Sequence, residues 1–234
     1  DLMRPRGLYI HTLGAIDMTG ATDFDIQKLK DVITKYFDAE TAKICHILLG
    51  CACTLGIKSG TKKVLVIYLT GDASVGKSTS LQICSTAMEM SQGRLDSIHT
   101  DNMTTKAWVS SKDDGIDLLE LLPGKCLFTT DLNDLFNKSR GDLQQLLASL
   151  VKIIDGVGYS YATAGKITSY RDINGLYTFC WFGAANPPIP AAMTTTSVAS
   201  RFYYLSMTQP EETTEMTVNR LTKIFSTQRD YNSK

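Results

Sequence analysis

The run Val64-Leu-Val-Ile-Tyr-Leu69-Thr70-Gly71-Asp72-Ala73-Ser74-Val75-Gly76-Lys77-Ser78-Thr79 puts two patterns end to end. Its first six residues are apolar and rich in β-branched side chains, the composition of a strand covered on both faces. Residues 71–78 then fit G-x-x-x-x-G-K-[ST] at every fixed position. Each fixed residue has a physical task in holding phosphate. The glycines let backbone N–H groups turn inward, and a helix starting near Lys77 aims its N-terminus at negative charge. The Lys77 ammonium suits β/γ-phosphate oxygens, and the Ser78 hydroxyl suits Mg2+. The candidate binding residues are therefore Gly71, Asp72, Ala73, Ser74, Val75, Gly76, Lys77, Ser78 and Thr79, and the expected ligand is a nucleotide.

Downstream, apolar runs recur at Cys126–Phe128 and Tyr177–Phe182, with helical patterns between them. This alternation predicts an α/β domain with a largely parallel sheet. The first run continues as Thr129-Thr130-Asp131-Leu132-Asn133-Asp134. Phosphate-loop chemistry needs a carboxylate on a neighbouring strand to hold Mg2+ through water, and usually a second to orient the attacking water. Asp131 is the metal-side candidate with Ser78, and Asp134 stands second, although Leu132 occupies the place where a glutamate commonly follows. Asp131 in the water-orienting place with Thr130 in the metal place fits equally well, and either aspartate also suits a helix N-cap. The second run ends at Asn186-Pro-Pro. Asn186 can reach a γ-phosphate or the attacking water if its strand lies between the other two, and taken alone it is a turn residue before proline. Arg201 precedes the apolar Phe202–Leu205; such an arginine is ordinarily solvated or salt-bridged.

In this order, GDASVGKS, LFTTDLND, GAANPP and SRF resemble the AAA+ ATPases, and within them the minichromosome maintenance (MCM) helicases and the MCM-like ATPases of mobile elements or viruses. The similarity spans residues 64–206. The resemblance implies a three-layer α/β AAA+ core with sheet order 5-1-4-3-2, and ATP with Mg2+ as cofactors. It implies catalytic roles for Lys77 and for Asp131 as the Walker B acid, with Asn186 as sensor 1. Arg201 would be an arginine finger acting on a neighbouring copy's nucleotide. The single aspartate of the acidic motif and the absence of an evident C-terminal lid depart from the family pattern.

Leu143, Leu146, Leu147, Leu150, Val151 and Ile154 predict a helix over 141–154. Alternation around Ala164-Gly165 predicts a β-hairpin before Asn186's strand. In the resembling helicases a hairpin here touches DNA, which makes Lys166, near the tip, and Arg171 candidate DNA contacts. Packing of the hairpin against its own domain or a subunit neighbour is the plainer alternative. Upstream, Ile26, Leu29, Val32, Ile33, Tyr36 and Phe37 form a helical stripe, a more apolar helix follows over 39–55, and Gly56–Lys63 reads as a turn. Cys45-His46 with Cys51-x-Cys53 misses zinc spacing, and small buried side chains are expected there. None of His11, His46 or His99 is marked as a base for Ser78.

The 234 residues, 43% hydrophobic and 21% charged, are enough for one large domain. The division expected is 1–63 lead-in and two helices, 64–206 core, and 207–234 linker or start of a lid. Twenty-four basic residues balance twenty-four acidic ones, so a hold on a polyanion must come from a local cluster. No apolar stretch reaches the roughly 20 residues of a spanning helix. The six cysteines lack a secreted framework, and a reducing cytoplasmic or host-cell interior with no membrane partner is expected. Asp1 in place of methionine suggests a piece of a longer protein. The function expected is a ring-forming ATPase, hexameric by the resemblance, that acts as a DNA helicase or translocase in replication. Alternatives are an ATP-switched initiator or loader that binds DNA without unwinding, a protein-remodelling AAA+ ATPase, and a superfamily 3 viral helicase.

Overall fold

The computed structural model describes residues 26–56, 64–89, 91, 95–100, 105–108, 117–133, 137–156, 158–163, 166–171, 178–187 and 199–208. Two helices come first, α1 (Ile26–Tyr36) and α2 (Ala39–Cys53). Asp38 begins α2 by accepting from the Thr41 N–H at 2.8 Å, the ordinary way to satisfy a helix's first donors. Next come β1 (Leu65–Thr70), α3 (Lys77–Glu89), β2 (Ser97–His99), the short helices α4 (Thr105–Trp108) and α5 (Leu118–Leu121), and β3 (Cys126–Thr129). The chain continues through α6 (Arg140–Ile154), an antiparallel hairpin of β4 (Gly158–Thr163) and β5 (Lys166–Arg171), β6 (Cys180–Ala185) and β7 (Phe202–Ser206).

Five strands form one parallel sheet in the order β2-β3-β6-β1-β7. Numbered among themselves and read from the β7 edge, these strands run 5-1-4-3-2. The reason the central strands read as unbroken apolar runs is visible in their packing. Along β1, Leu65, Ile67 and Leu69 enter the core shared with α1, α2 and α3, while Val66 and Tyr68 enter the core shared with α4, α5 and α6. In β6, Cys180, Phe182 and Ala184 face the first core and Trp181 and Ala185 the second. Both faces are dry, so both need apolar side chains, each large one contributing about 1.5–3 kcal/mol by its burial. The α6 side is aromatic, with the Trp181 ring edge-on to Tyr68 at 5.4 Å and to Trp108 at 5.3 Å. The α3 side is mostly aliphatic around the Phe128–Phe182 pair, whose rings lie 5.4 Å apart, and it holds Cys45, Cys84, Cys126 and Cys180.

The sequence expectation for β6, Tyr177–Phe182, is three residues early. The parallel ladder starts at Leu65 opposite Cys180, and Phe179 contributes only a carbonyl that accepts from Leu65 N–H at 3.2 Å. Burial begins before pairing does, and hydrophobicity reports burial. The three-residue β2 is too short to show any period. Cys51 and Cys53 are half-buried, in contrast to the buried positions expected of them, and His46 is half-buried too. The lead-in expected ahead of the first helix, most of the 56–63 turn, and most of the C-terminal segment lie outside the described residues. Among the described residues, no helix is long and apolar enough to cross a membrane.

Candidate functional site

At the carboxyl end of β1 the backbone takes positive φ three times in six residues, at Gly71 (144°), Ser74 (70°) and Gly76 (93°), before α3 begins at Lys77. That sequence of left-handed turns curls the loop. Ser74 holds the conformation with a side chain, a strain of about 1–2 kcal/mol. Gly71 has a second reason to lack one. The Met207 N–H donates to Thr70 O at 2.7 Å, which lays the chain after β7 alongside the loop. A methyl group on Gly71 would collide with the Met207 carbonyl oxygen. A methyl on Gly76 would stand 3.4 Å from Thr41 Oγ1 and 3.8 Å from Met207 Cε. The loop is thus backed by the first turn of α2 and by Met207, and the Thr208 N–H donating to Glu40 Oε1 at 3.0 Å ties those two supports together. Sequence reasoning finds none of Glu40, Thr41 or Met207. Their only signal is the Asp38 cap, which announces a helix and says nothing of where it docks.

Lys77 is buried and arches back over the loop, its Nζ donating to Gly71 O at 2.7 Å and Asp72 O at 2.6 Å. Burial pulls its pKa below the ordinary lysine value, against the opposing fields of Asp72 and Asp131. Asp72, Ala73, Ser74 and Ser78 are exposed, while Val75, Gly76 and Thr79 are half-buried. The Ser80 hydroxyl, donating to Gly76 O at 3.0 Å, fixes the first turn of α3 beneath the loop.

The sheet brings two more candidates to the same edge. β6 lies between β1 and β3, the condition on which a role for Asn186 depends. Thr70 is opposite Ala185 and Thr129 is opposite Gly183, so residues 71, 131 and 186 all leave the sheet at its carboxyl edge. Asp131 is exposed and its Oδ1 accepts from the Asn133 N–H at 2.8 Å, a turn-capping bond of the kind its sequence position allows. The exposed Asn186 donates its N–H to Asn133 Oδ1 at 3.1 Å, and Leu132 N–H donates to Ala184 O at 2.9 Å. Asn133, which the motif reading passes over, therefore stitches the Asp131 turn to the end of β6. Leu132 is fully buried against the Gly183 backbone. Asp134 lies outside the described residues.

Arg201 is not at this edge. It sits in a one-turn 3-10 helix just before β7, level with the start of β1 and a strand length, roughly 17 Å, from the phosphate loop's end of the sheet. Its Nε and Nη2 donate to the two carboxylate oxygens of Asp155, each at 2.8 Å, and this pairing raises its pKa. The hairpin is rooted at that amino edge as well, since α6 leads into it and Ile154 O accepts from Val64 N–H at 3.1 Å. In its register Lys166 is opposite Thr163 beside the tip, and Arg171 is opposite Gly158 at the base. Among the described residues no group of three or more His, Cys, Asp and Glu side chains is placed to hold a metal ion.

No family model matches this sequence, and no curated protein matches it. Among solved structures, the chain is similar to NtrX from Brucella abortus in complex with ATP, at 10% identity and a TM-score of 0.42, over 73% of this chain and 37% of that one. A second structure of NtrX from Brucella abortus aligns at 11% identity and a TM-score of 0.44, over 74% and 37%. The chain therefore spans little more than a third of the length of those neighbours.

Proposed function

We propose that the chain is an AAA+ ATPase module of the MCM-like kind, one that binds ATP with Mg2+ and assembles into a ring, six-membered by the resemblance. Hydrolysis at the shared interfaces drives movement on DNA during replication. The observation that carries the reading is the curled loop of Gly71–Ser78 with the Lys77 ammonium folded over it, and with Asp131 and Asn186 beside it at one sheet edge. Lys77 exchanges its two carbonyl partners for phosphate oxygens. Ser78 and Asp131, both exposed oxygen donors at that edge, fit Mg2+, which neutralises charge on the phosphates. Asn186 orients the attacking water. Arg201, a strand length away, completes the site of a second copy. Lys166, at the hairpin tip, contributes one phosphate contact per subunit, weak alone and additive around a ring, with Arg171 behind it.

A second reading, an ATP-switched loader that binds DNA without unwinding, is favoured by Leu132. Its side chain is core, so the residue after Asp131 cannot serve as a second carboxylate without burying a charge. The two readings separate when ATPase rate is measured against protein concentration with and without DNA. A motor gives a rate per subunit that rises steeply with concentration and rises again with DNA. A switch gives DNA binding with turnover near zero, and a rate per subunit flat in concentration removes the shared site from both.

A further inference from the structure

We infer that Asp155 is a positioning residue for Arg201, holding the guanidinium in the direction from which it serves a second copy's nucleotide; the inference rests on the trans role proposed for Arg201. The pair is bidentate, Nε to Oδ1 and Nη2 to Oδ2, both at 2.8 Å, a fork that fixes the plane of the guanidinium as well as its place. Asp155 is itself held. It caps the C-terminus of α6, its N–H donates to Val151 O at 3.0 Å, and Gly156 closes the helix at φ 75° with its N–H on Ile153 O. One residue earlier, Ile154 O accepts from the N–H of Val64, the residue before β1, which ties the end of α6 to the central sheet.

The pair's setting argues against a purely stabilising role. A carboxylate at a helix C-terminus faces the negative end of the helix dipole and is unfavourable there without a cation. Both side chains are partly exposed, 26% for Arg201 and 32% for Asp155, where an ion pair adds little to stability. What the fork does supply is a fixed orientation for a long side chain. Small misplacement of a group that acts on a transition state is costly in rate, up to about 100-fold for an ångström.

The test mixes two inactive variants. Lys77→Ala has a dead site and an intact finger; Arg201→Ala has an intact site and no finger; mixed rings hydrolyse ATP only where the first donates to the second. Asp155→Asn is then placed in the donor or in the acceptor. The inference expects kcat of the mixture to fall about 10–100-fold with the change in the donor, to stay within twofold with the change in the acceptor, and to recover in part with Asp155→Glu in the donor. Equal loss in both arms means that Asp155 supports the fold alone and overturns the inference while leaving the trans finger standing. A mixture without Asp155 substitutions that gains no activity overturns the trans finger and this inference together. A donor indifferent to Asp155→Asn overturns the inference alone.

Discussion

At the carboxyl edge of the sheet, Gly71–Ser78, Asp131 and Asn186 converge from three adjacent strands of one chain, and Met207 and Thr41 back the loop at Gly71 and Gly76. At the amino edge of the same strands, Asp155 and Arg201 make an ion pair, with the hairpin rooted nearby. One edge assembles its polar groups around a concave loop; the other holds a cation that no turn of its own chain can carry to that loop. The contrast teaches that the sheet holds these two sets of groups apart, at opposite ends of its strands. If the proposed function is right, receiving a nucleotide and acting on one belong to opposite ends, and only a second copy brings them together.

The sharpest way to break that division is to disable each end alone. Lys77→Ala should abolish turnover and nucleotide binding together, since in the proposed function that ammonium faces the phosphates. Arg201→Ala should leave binding near the parent value, read by fluorescent-nucleotide titration, and lower turnover about 10³–10⁵-fold, equivalent to roughly 4–7 kcal/mol in the barrier. Loss of binding in both variants to the same degree would merge the two ends into one site and refute the separation.

A smaller effect sharpens what the carboxyl edge is made of. Gly71 serves the phosphate reading, and it also answers to Met207. Gly71→Ala combines a φ of 144° with a methyl driven into a backbone carbonyl, and should destabilise the fold by about 3 kcal/mol even without nucleotide. The check is the urea midpoint of the nucleotide-free protein. An unchanged midpoint alongside weakened nucleotide binding would show that this glycine is there for the ligand alone.

The same contrast explains what the sequence could say. The loop is legible because contiguous residues make it: the strand, both glycines, the lysine and the start of α3 all lie within sixteen positions. Asp131 and Asn186 are legible as strand ends, because apolar runs stop where strands leave the core, and β6's central place then puts them together. The supports are not legible. Thr41 and Met207 meet at Gly76 from positions 166 residues apart, and nothing local in either marks the encounter. Asp155 is hidden for a related reason. As the residue after an amphipathic helix it looks like a solvated cap, and only the fold brings it to Arg201, 46 residues on. The late start of β6 shows the same limit on a small scale, since Phe179 is buried before it is paired.

The finest test of the contrast is its response to pH. Burial lowers the Lys77 pKa, so the folded chain holds that proton less tightly than the unfolded chain does. Below the lowered value the buried charge costs stability; the cost fades as pH rises through the folded pKa and is gone above the unfolded one. A triphosphate beside the ammonium favours the charged form and raises the pKa again. In the alkaline window between those values, nucleotide binding should therefore take up protons and weaken as pH rises. Arg201, whose pKa is raised by Asp155, stays charged throughout and contributes nothing to that change. Titration calorimetry in buffers of different ionisation enthalpy measures the uptake, with Lys77→Arg as the control, because a guanidinium does not titrate there. Uptake in the parent that vanishes in Lys77→Arg assigns the proton to the carboxyl edge; equal uptake in both would place it on some other group and leave the desolvated lysine without a part in binding.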